Sequence, residues 1–392
     1  MIRHAHGGGP SHGGKSGAAP YRPDFDRAPF LVIWETTQAC DLACKHCRAE
    51  ARPWRDPLEL STHEAKRMLD RIREFGPIIF VFSGGDCFKR PDIVELTKHA
   101  HGLGLRVAAT PATTSMASRE LLEEMRDAGL ARVAVSLDGS HAGIHDEFRQ
   151  VAGSFENGLR ILRTALELGM TTQVNTVVAR HNLDDFDALC ELMTRTGISF
   201  WEVFFLVPIG RAGKKDVASA KEFEAVFGKL YELSRTAPFD LKATAAPHYQ
   251  RYVLQRRAEE AAAAAAGGDV TAGHAAGPDS LGRARGVNDG DGFMFISHTG
   301  DIMPSGFLPE PAGNVRRNDL VEVYRDAPLF RALRDRSRIG GKCGVCEYLP
   351  LCGGSRARAW AVTGDIHAAE PYCSYIPELW GQRRIRALPV VV

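Results

Sequence analysis

The chain has 392 residues, 49 Lys and Arg against 48 Asp and Glu, and nine cysteines. A net charge of +1 excludes a protein whose main task is gripping nucleic acid, and 44% apolar residues allow a sizeable core. No apolar run is long enough to span a membrane, no apolar signal core precedes the first strand, and nine cysteines cannot all pair within one chain, so we expect a cytoplasmic protein whose clustered cysteines hold metal.

Residues 1–27 are rich in Gly, His, Ser and Pro and read as a disordered tail. His4, His6 and His12 could bind a metal there, but a solvated tail is the simpler reading. FLVIWE (30–35) is a buried-strand run. The stretch 61–76 opens on Ser61 with Glu64 three residues on, a capping box, and ends on Gly76. PIIFVF (77–82) is the next strand, and a helix runs from Pro91 to Leu103. LRVAAT (105–110) is a strand, 118–129 a helix, ARVAVSL (131–137) a strand and 154–169 a helix. MTTQVNTVV (170–178) is a strand, 183–197 a helix and ISFWEVFFLV (198–207) a sixth strand. This alternation predicts an α/β fold with a parallel sheet, a partial (β/α)6 barrel over 28–215, short of the eight units of a full barrel. Residues 216–290 read as a helical segment, centred on 222–235, and an Ala/Gly-rich flexible linker. The alanine run can extend the helix before it. Residues 291–392 begin with two short strands about the turn His298–Asp301 and form a small cysteine-rich C-terminal extension. Cys190 falls on the apolar side of a helix and reads as a core cysteine.

The cysteines divide into groups. Cys40, Cys44 and Cys47 lie within eight residues, directly after the first strand, where parallel α/β folds place their chemistry. Three thiolates can hold three corners of a [4Fe–4S] cube and leave one iron open. A zinc knuckle is the alternative, but His46 is poorly placed beside Cys47 to complete a tetrahedron.

The stretch TTQACDLACKHCRAE resembles the radical S-adenosylmethionine superfamily. The resemblance implies that the open iron chelates the amino and carboxylate groups of S-adenosylmethionine. It further implies that the reduced cluster cleaves that molecule to a 5′-deoxyadenosyl radical, which abstracts hydrogen from a substrate. Ser83-Gly84-Gly85-Asp86, ending the second strand, resembles the family's glycine-glycine-acid turn, with Asp86 offered to the methionine ammonium. Cys87 stands where a proline is usual and reads as unligated. Further cofactor contacts implied by the resemblance are His46, Thr110, Ser136 for ribose, Arg149 near the carboxylate, Asn175, and Arg211 in the adenine-side loop PIGRAG (208–213).

Cys343, Cys346, Cys352 and Cys373 suit a fully ligated metal site, zinc being the plain alternative. The same resemblance extends to the SPASM, or shortened "twitch", extension and implies an auxiliary [4Fe–4S] cluster for electron transfer or substrate binding. Ser305 occupies a place where many members carry a further cysteine, so two clusters are expected in all.

VIWETTQACDLACKHCRAEA and ISHTGDIMPSGFLPEPAGNVR are similar to the branch acting in haem b and haem d1 synthesis and its uncharacterised relatives. That implies a biosynthetic oxidoreductase or lyase modifying a tetrapyrrole side chain. Alternatives are radical modification of a ribosomal peptide or of a small nucleoside or sugar, and, as a different class, a zinc-stapled binding protein without chemistry. His248, Tyr249 and Arg251, with Arg356 and Arg358, are candidates to meet a substrate. Expected partners are a small-molecule or peptide substrate and an electron donor such as flavodoxin or ferredoxin, with neither nucleic acid nor membrane.

Overall fold

The computed structural model of the protein describes residues 24–266 and 286–381. The three tail histidines and much of the Ala/Gly-rich linker lie outside the described residues. The apolar runs become strands whose outer face packs under helices: β1 (Leu31–Glu35) buries Val32 and Trp34 and pairs in parallel with β2 (Ile79–Ser83). Between them lies α1 (Thr62–Ile72), whose Ser61–Glu64 capping box forms as expected. The alternation continues through α2 (Ile93–Gly102), β3 (Arg106–Ala109), α3 (Arg119–Asp127) and β4 (Arg132–Ser136). Two helices follow, α4 (Ala142–Arg149) and α5 (Ser154–Glu167), then β5 (Thr171–Val178), α6 (Phe186–Arg195) and β6 (Phe200–Phe205). The six expected strand–helix units are present, with α4 an added helix that supplies Arg149.

The sheet is wider than six strands. After α7 (Ala220–Ser234) the chain adds β7 (Asp240–Thr244), parallel to β6, before α8 (His248–Ala265). The segment read as helix and linker therefore contains a barrel strand, and the alanine run extends α8, a separate helix beyond β7, and not the helix at 222–235. β8 (Phe293–Ile296) pairs in parallel with the free side of β1, from Leu31↔Phe293 to Trp34↔Ile296. β9 (Asp301–Met303) returns antiparallel to β8, and β10 (Gly313–Asn314) to β9. The order is β10-β9-β8-β1-β2-β3-β4-β5-β6-β7, an open barrel with β10 and β7 at its edges. The extension expected from residue 291 thus begins inside the barrel's own sheet. It continues as α9 (Leu320–Asp326), α10 (Pro328–Arg334) and α11 (Arg356–Thr363).

The expected tail also ends sooner than residue 27. Phe25 is buried, Gly292 leaves room for its ring, and its carbonyl accepts the Tyr324 hydroxyl at 2.7 Å. Cys87 lies fully buried in the main apolar core, and Cys190 packs against that core.

Candidate functional site at the carboxyl end of the barrel

The loop after β1 carries Cys40, Cys44 and Cys47, and neighbouring backbone pins it. Gly85 N–H donates to Thr37 O and Asp86 N–H to Ala39 O, each at 2.7 Å, and Cys40 N–H donates to Arg52 O at 2.7 Å. The paired glycines are needed for this contact. A Cβ on Gly84 would stand 2.6 Å from Thr37 O, and one on Gly85 would stand 2.5 Å from Ala39 O. Both glycines line the cavity, but the close approach they permit is to the cysteine loop.

Each of the three thiols accepts an N–H. Leu42 N–H reaches Cys40 Sγ at 3.4 Å, Ala51 N–H reaches Cys47 Sγ at 3.4 Å, and Arg149 Nη1 reaches Cys44 Sγ at 3.6 Å. Such donors favour the thiolate. Burial acts the other way, pushing Cys40 up to about 12 and raising Cys44. Any metal bound by these thiols would have to displace their protons. Among the described residues, no group of three or more His, Cys, Asp or Glu is arranged to hold a metal ion.

The remaining expected contacts separate. Thr110, Ser136, Asn175, His46 and Arg149 line one cavity with the three thiols. Thr110 Oγ1 donates to Phe82 O at 3.3 Å, and Asn175 Oδ1 accepts from Gln173 Nε2 at 2.7 Å. His46 stacks on Phe148 with centroids 4.3 Å apart, and Phe148 stacks on His181 at 3.5 Å. Burial drives His46 down to about 3, so its ring is neutral, and among the described residues its Nδ1 has no hydrogen-bond partner.

Two residues do other work than expected. Asp86 is fully buried behind the loop, where its carboxylate accepts from Phe88 N–H (3.1 Å), Ala112 N–H (3.3 Å) and Thr114 Oγ1 (3.1 Å). Those donors occupy the acid that was expected to meet the methionine ammonium. Arg211 donates to the carbonyls of Cys44 (3.4 Å) and Ala51 (2.6 Å), and its own N–H to Cys47 O (3.1 Å). It clamps the cysteine loop instead of facing a nucleoside. Gly210 beside it has φ +59, and its lack of a Cβ lets it rest on Cys47 O.

Sequence reasoning missed the charged residues behind the loop. Asp138 pairs with Arg149, and Glu35 pairs with Arg48 and His298. One signal was available: an acid closing the apolar run VIWE must find a partner when buried. Deeper in the barrel, Glu202 accepts from Gln173, Lys242 and Thr244 at 2.9, 2.9 and 2.5 Å.

The second thiol group lies on the extension. Cys343 Sγ accepts Glu370 N–H and Cys352 Sγ accepts Gly354 N–H, each at 3.3 Å. Burial raises all four thiols, Cys352 to about 12. Cys352 also lines the cavity that the first three thiols share. Ser305 accepts Phe307 N–H at 3.0 Å.

Of the five substrate candidates, Tyr249 alone lines that cavity. His248 is buried against Phe223 and Phe227, and among the described residues neither ring nitrogen has a hydrogen-bond partner. Arg251 is buried in an ion pair with Glu224. Arg356 donates to Ile366 O and Ala368 O, at 2.8 and 2.7 Å. Arg358 donates to Phe205 O, Leu206 O and Ala245 O and pairs with Glu370 at 3.2 Å, joining the extension to the ends of β6 and β7. Arg251 in its ion pair, and Arg356 and Arg358 among carbonyls, therefore hold the structure together and lie off the cavity that Tyr249 lines.

An open, mostly parallel barrel with a thiol-bearing first loop over a large cavity is the architecture of an α/β enzyme. The Radical SAM superfamily profile matches residues 34–193. The chain is 40% identical over 389 residues to the AdoMet-dependent heme synthase of Oleidesulfovibrio alaskensis, covering 96% of this chain and 97% of that one. It is 43% identical over 352 residues to that of Nitratidesulfovibrio vulgaris, covering 88% and 92%. The chain belongs to the radical SAM superfamily and is an enzyme. Its fold matches Streptococcus suis SuiB bound to S-adenosylmethionine with a TM-score of 0.67 at 16% identity, over 89% of this chain and 78% of SuiB. Among the described residues, no helix is long and apolar enough to cross a membrane.

Proposed function

We propose that the protein modifies a tetrapyrrole side chain, with one [4Fe–4S] cluster on Cys40, Cys44 and Cys47 and an auxiliary one on Cys343, Cys346, Cys352 and Cys373. The observation that carries this is a single cavity of about 1380 Å³ bordered by the first three thiols and by Cys352. It exceeds the roughly 300–1,000 Å³ of a usual small-molecule site, leaving room for S-adenosylmethionine beside a large flat substrate. Relatives that share nearly the whole chain and are haem synthases support the substrate class.

The donor sets fit the groups assigned to them. Three thiols on one loop, each with an N–H donor, are the ligand set that a cube with one open corner takes, whereas a structural zinc needs a fourth ligand. Bound there, the reduced cluster and S-adenosylmethionine supply hydrogen-atom abstraction, and the auxiliary cluster an acceptor for the electron left behind. The chain's own residues do the rest. Arg149 and the backbone donors hold charge on the thiolates, and Arg211 and the glycine pair keep the loop in place. Ser136, Thr110, Asn175 and neutral His46 border the space for the nucleoside. The buried apolar strands exclude water. Nine free cysteines suit a reducing cytoplasm, with flavodoxin or ferredoxin as the donor of electrons.

The test is isotope transfer. Iron coproporphyrin deuterated on its propionate chains, given to the reconstituted enzyme with S-adenosylmethionine and dithionite, should pass deuterium into 5′-deoxyadenosine. Transfer from a peptide or sugar instead, with none from the porphyrin, would overturn the substrate class.

A further inference from the structure

Arg48 follows Cys47 directly and lines the cavity. Its guanidinium is held from three sides. Nη1 donates to Glu35 Oε2 at 2.8 Å, and the group lies 4.4 Å from the centroid of the Phe295 ring. Gly306 leaves the space it fills, since a Cβ there would come within 2.9 Å of Nε. Glu35 is itself fixed, because it is buried and its other oxygen meets His298 Nδ1 at 2.7 Å.

The arginine keeps donors in reserve. Among the described residues, the one hydrogen bond of its side chain is that to Glu35, so Nε and Nη2 have no protein acceptor. The side chain is 20% exposed. Other arginines near the thiols are spent: Arg149 on Asp138 and Cys44, Arg211 on backbone carbonyls. A planar guanidinium lying on an aromatic ring, braced from behind and with unused donors at a cavity, matches a carboxylate.

We propose that Arg48 anchors a carboxylate of the ligand in this cavity, with Glu35 and Phe295 as its positioning residues. The inference rests on the reading of the cavity as the site of S-adenosylmethionine and a propionate-bearing tetrapyrrole. Both ligands carry carboxylates, and the experiment separates them.

Cluster-loaded wild type, Arg48→Gln, Arg48→Lys and Glu35→Gln are titrated with iron coproporphyrin and with its methyl ester, following the porphyrin absorption. Labelled S-adenosylmethionine is titrated in parallel by equilibrium dialysis. Wild type should bind the acid about tenfold or more tightly than the ester. Arg48→Gln should bind acid and ester alike, Arg48→Lys should keep part of the preference, and Glu35→Gln should lose less than Arg48→Gln. An unchanged porphyrin preference with S-adenosylmethionine binding weakened about tenfold assigns the anchored carboxylate to that cofactor. If Arg48→Gln retains its iron and alters neither titration, the inference is wrong. If it loses its iron, Arg48→Lys and Glu35→Gln decide by the same readings. Wild type that ignores the porphyrin defeats the tetrapyrrole reading, and the dialysis then decides the role of Arg48.

Discussion

Arg149 ties Asp138 to the thiol of Cys44: its Nε donates to Asp138 Oδ2 at 2.7 Å and its Nη1 to Cys44 Sγ at 3.6 Å. Asp138 is fully buried at the end of β4 and also accepts Val177 N–H at 2.7 Å. Asp138→Ala would take the carboxylate from a largely buried guanidinium and leave it the Cys44 thiol, a change that costs about 3 kcal/mol, the low end for breaking a buried pair. Urea denaturation of the cluster-free protein should show this as a lower midpoint with an unchanged slope.

The same carboxylate predicts a pH dependence. Burial opposes its charge, but Arg149 and neighbouring histidines hold it down at about 2 against an ordinary 3.8. A depressed folded value means that the unfolded chain binds the proton first. The pair therefore contributes about 2 kcal/mol above pH 4, lost as pH falls through about 2. Asp138→Asn should flatten the stability curve between those limits, leaving the other carboxylates to set what slope remains.

Gly85→Ala tests the packing of the glycine turn. Its Cβ would meet backbone, Ala39 O at 2.5 Å and Gln38 O at 2.6 Å, which no side-chain rotation relieves. The cysteine loop must move. We expect the variant to lose the iron of the first site and keep that of the second, about half of the wild-type total in an iron assay.

Arg358 should matter to the union of extension and barrel. Its partner Glu370 is 1% exposed. Arg358→Met strands that charge and should cost about 3–5 kcal/mol. The double variant Arg358→Met with Glu370→Gln should recover part of the loss, and a double-mutant cycle of urea midpoints measures the coupling.

Much of this architecture was legible in the sequence, because buried parallel strands announce themselves as apolar runs between capped helices. β7 escaped because DLKAT is a short edge strand with no buried run. The pairing of β8 with β1 escaped because Leu31 and Phe293 meet across most of the chain, and no local pattern encodes such a partner. The roles of Asp86 and Arg211 were not legible. A motif shows which residue stands at a turn, while its hydrogen-bond partners decide whether its charge faces a ligand. Arg48 and Asp138 sit in ordinary-looking sequence and gain meaning only from the buried groups they face.

Iron analysis after anaerobic reconstitution tests most directly whether the two thiol groups hold two separate four-iron clusters, as we propose. Wild type should carry about eight irons per chain, the Cys40/Cys44/Cys47→Ala variant about four, and the Cys343/Cys346/Cys352/Cys373→Ala variant about four. About four irons in wild type, or zinc in place of iron at either group, would contradict the account.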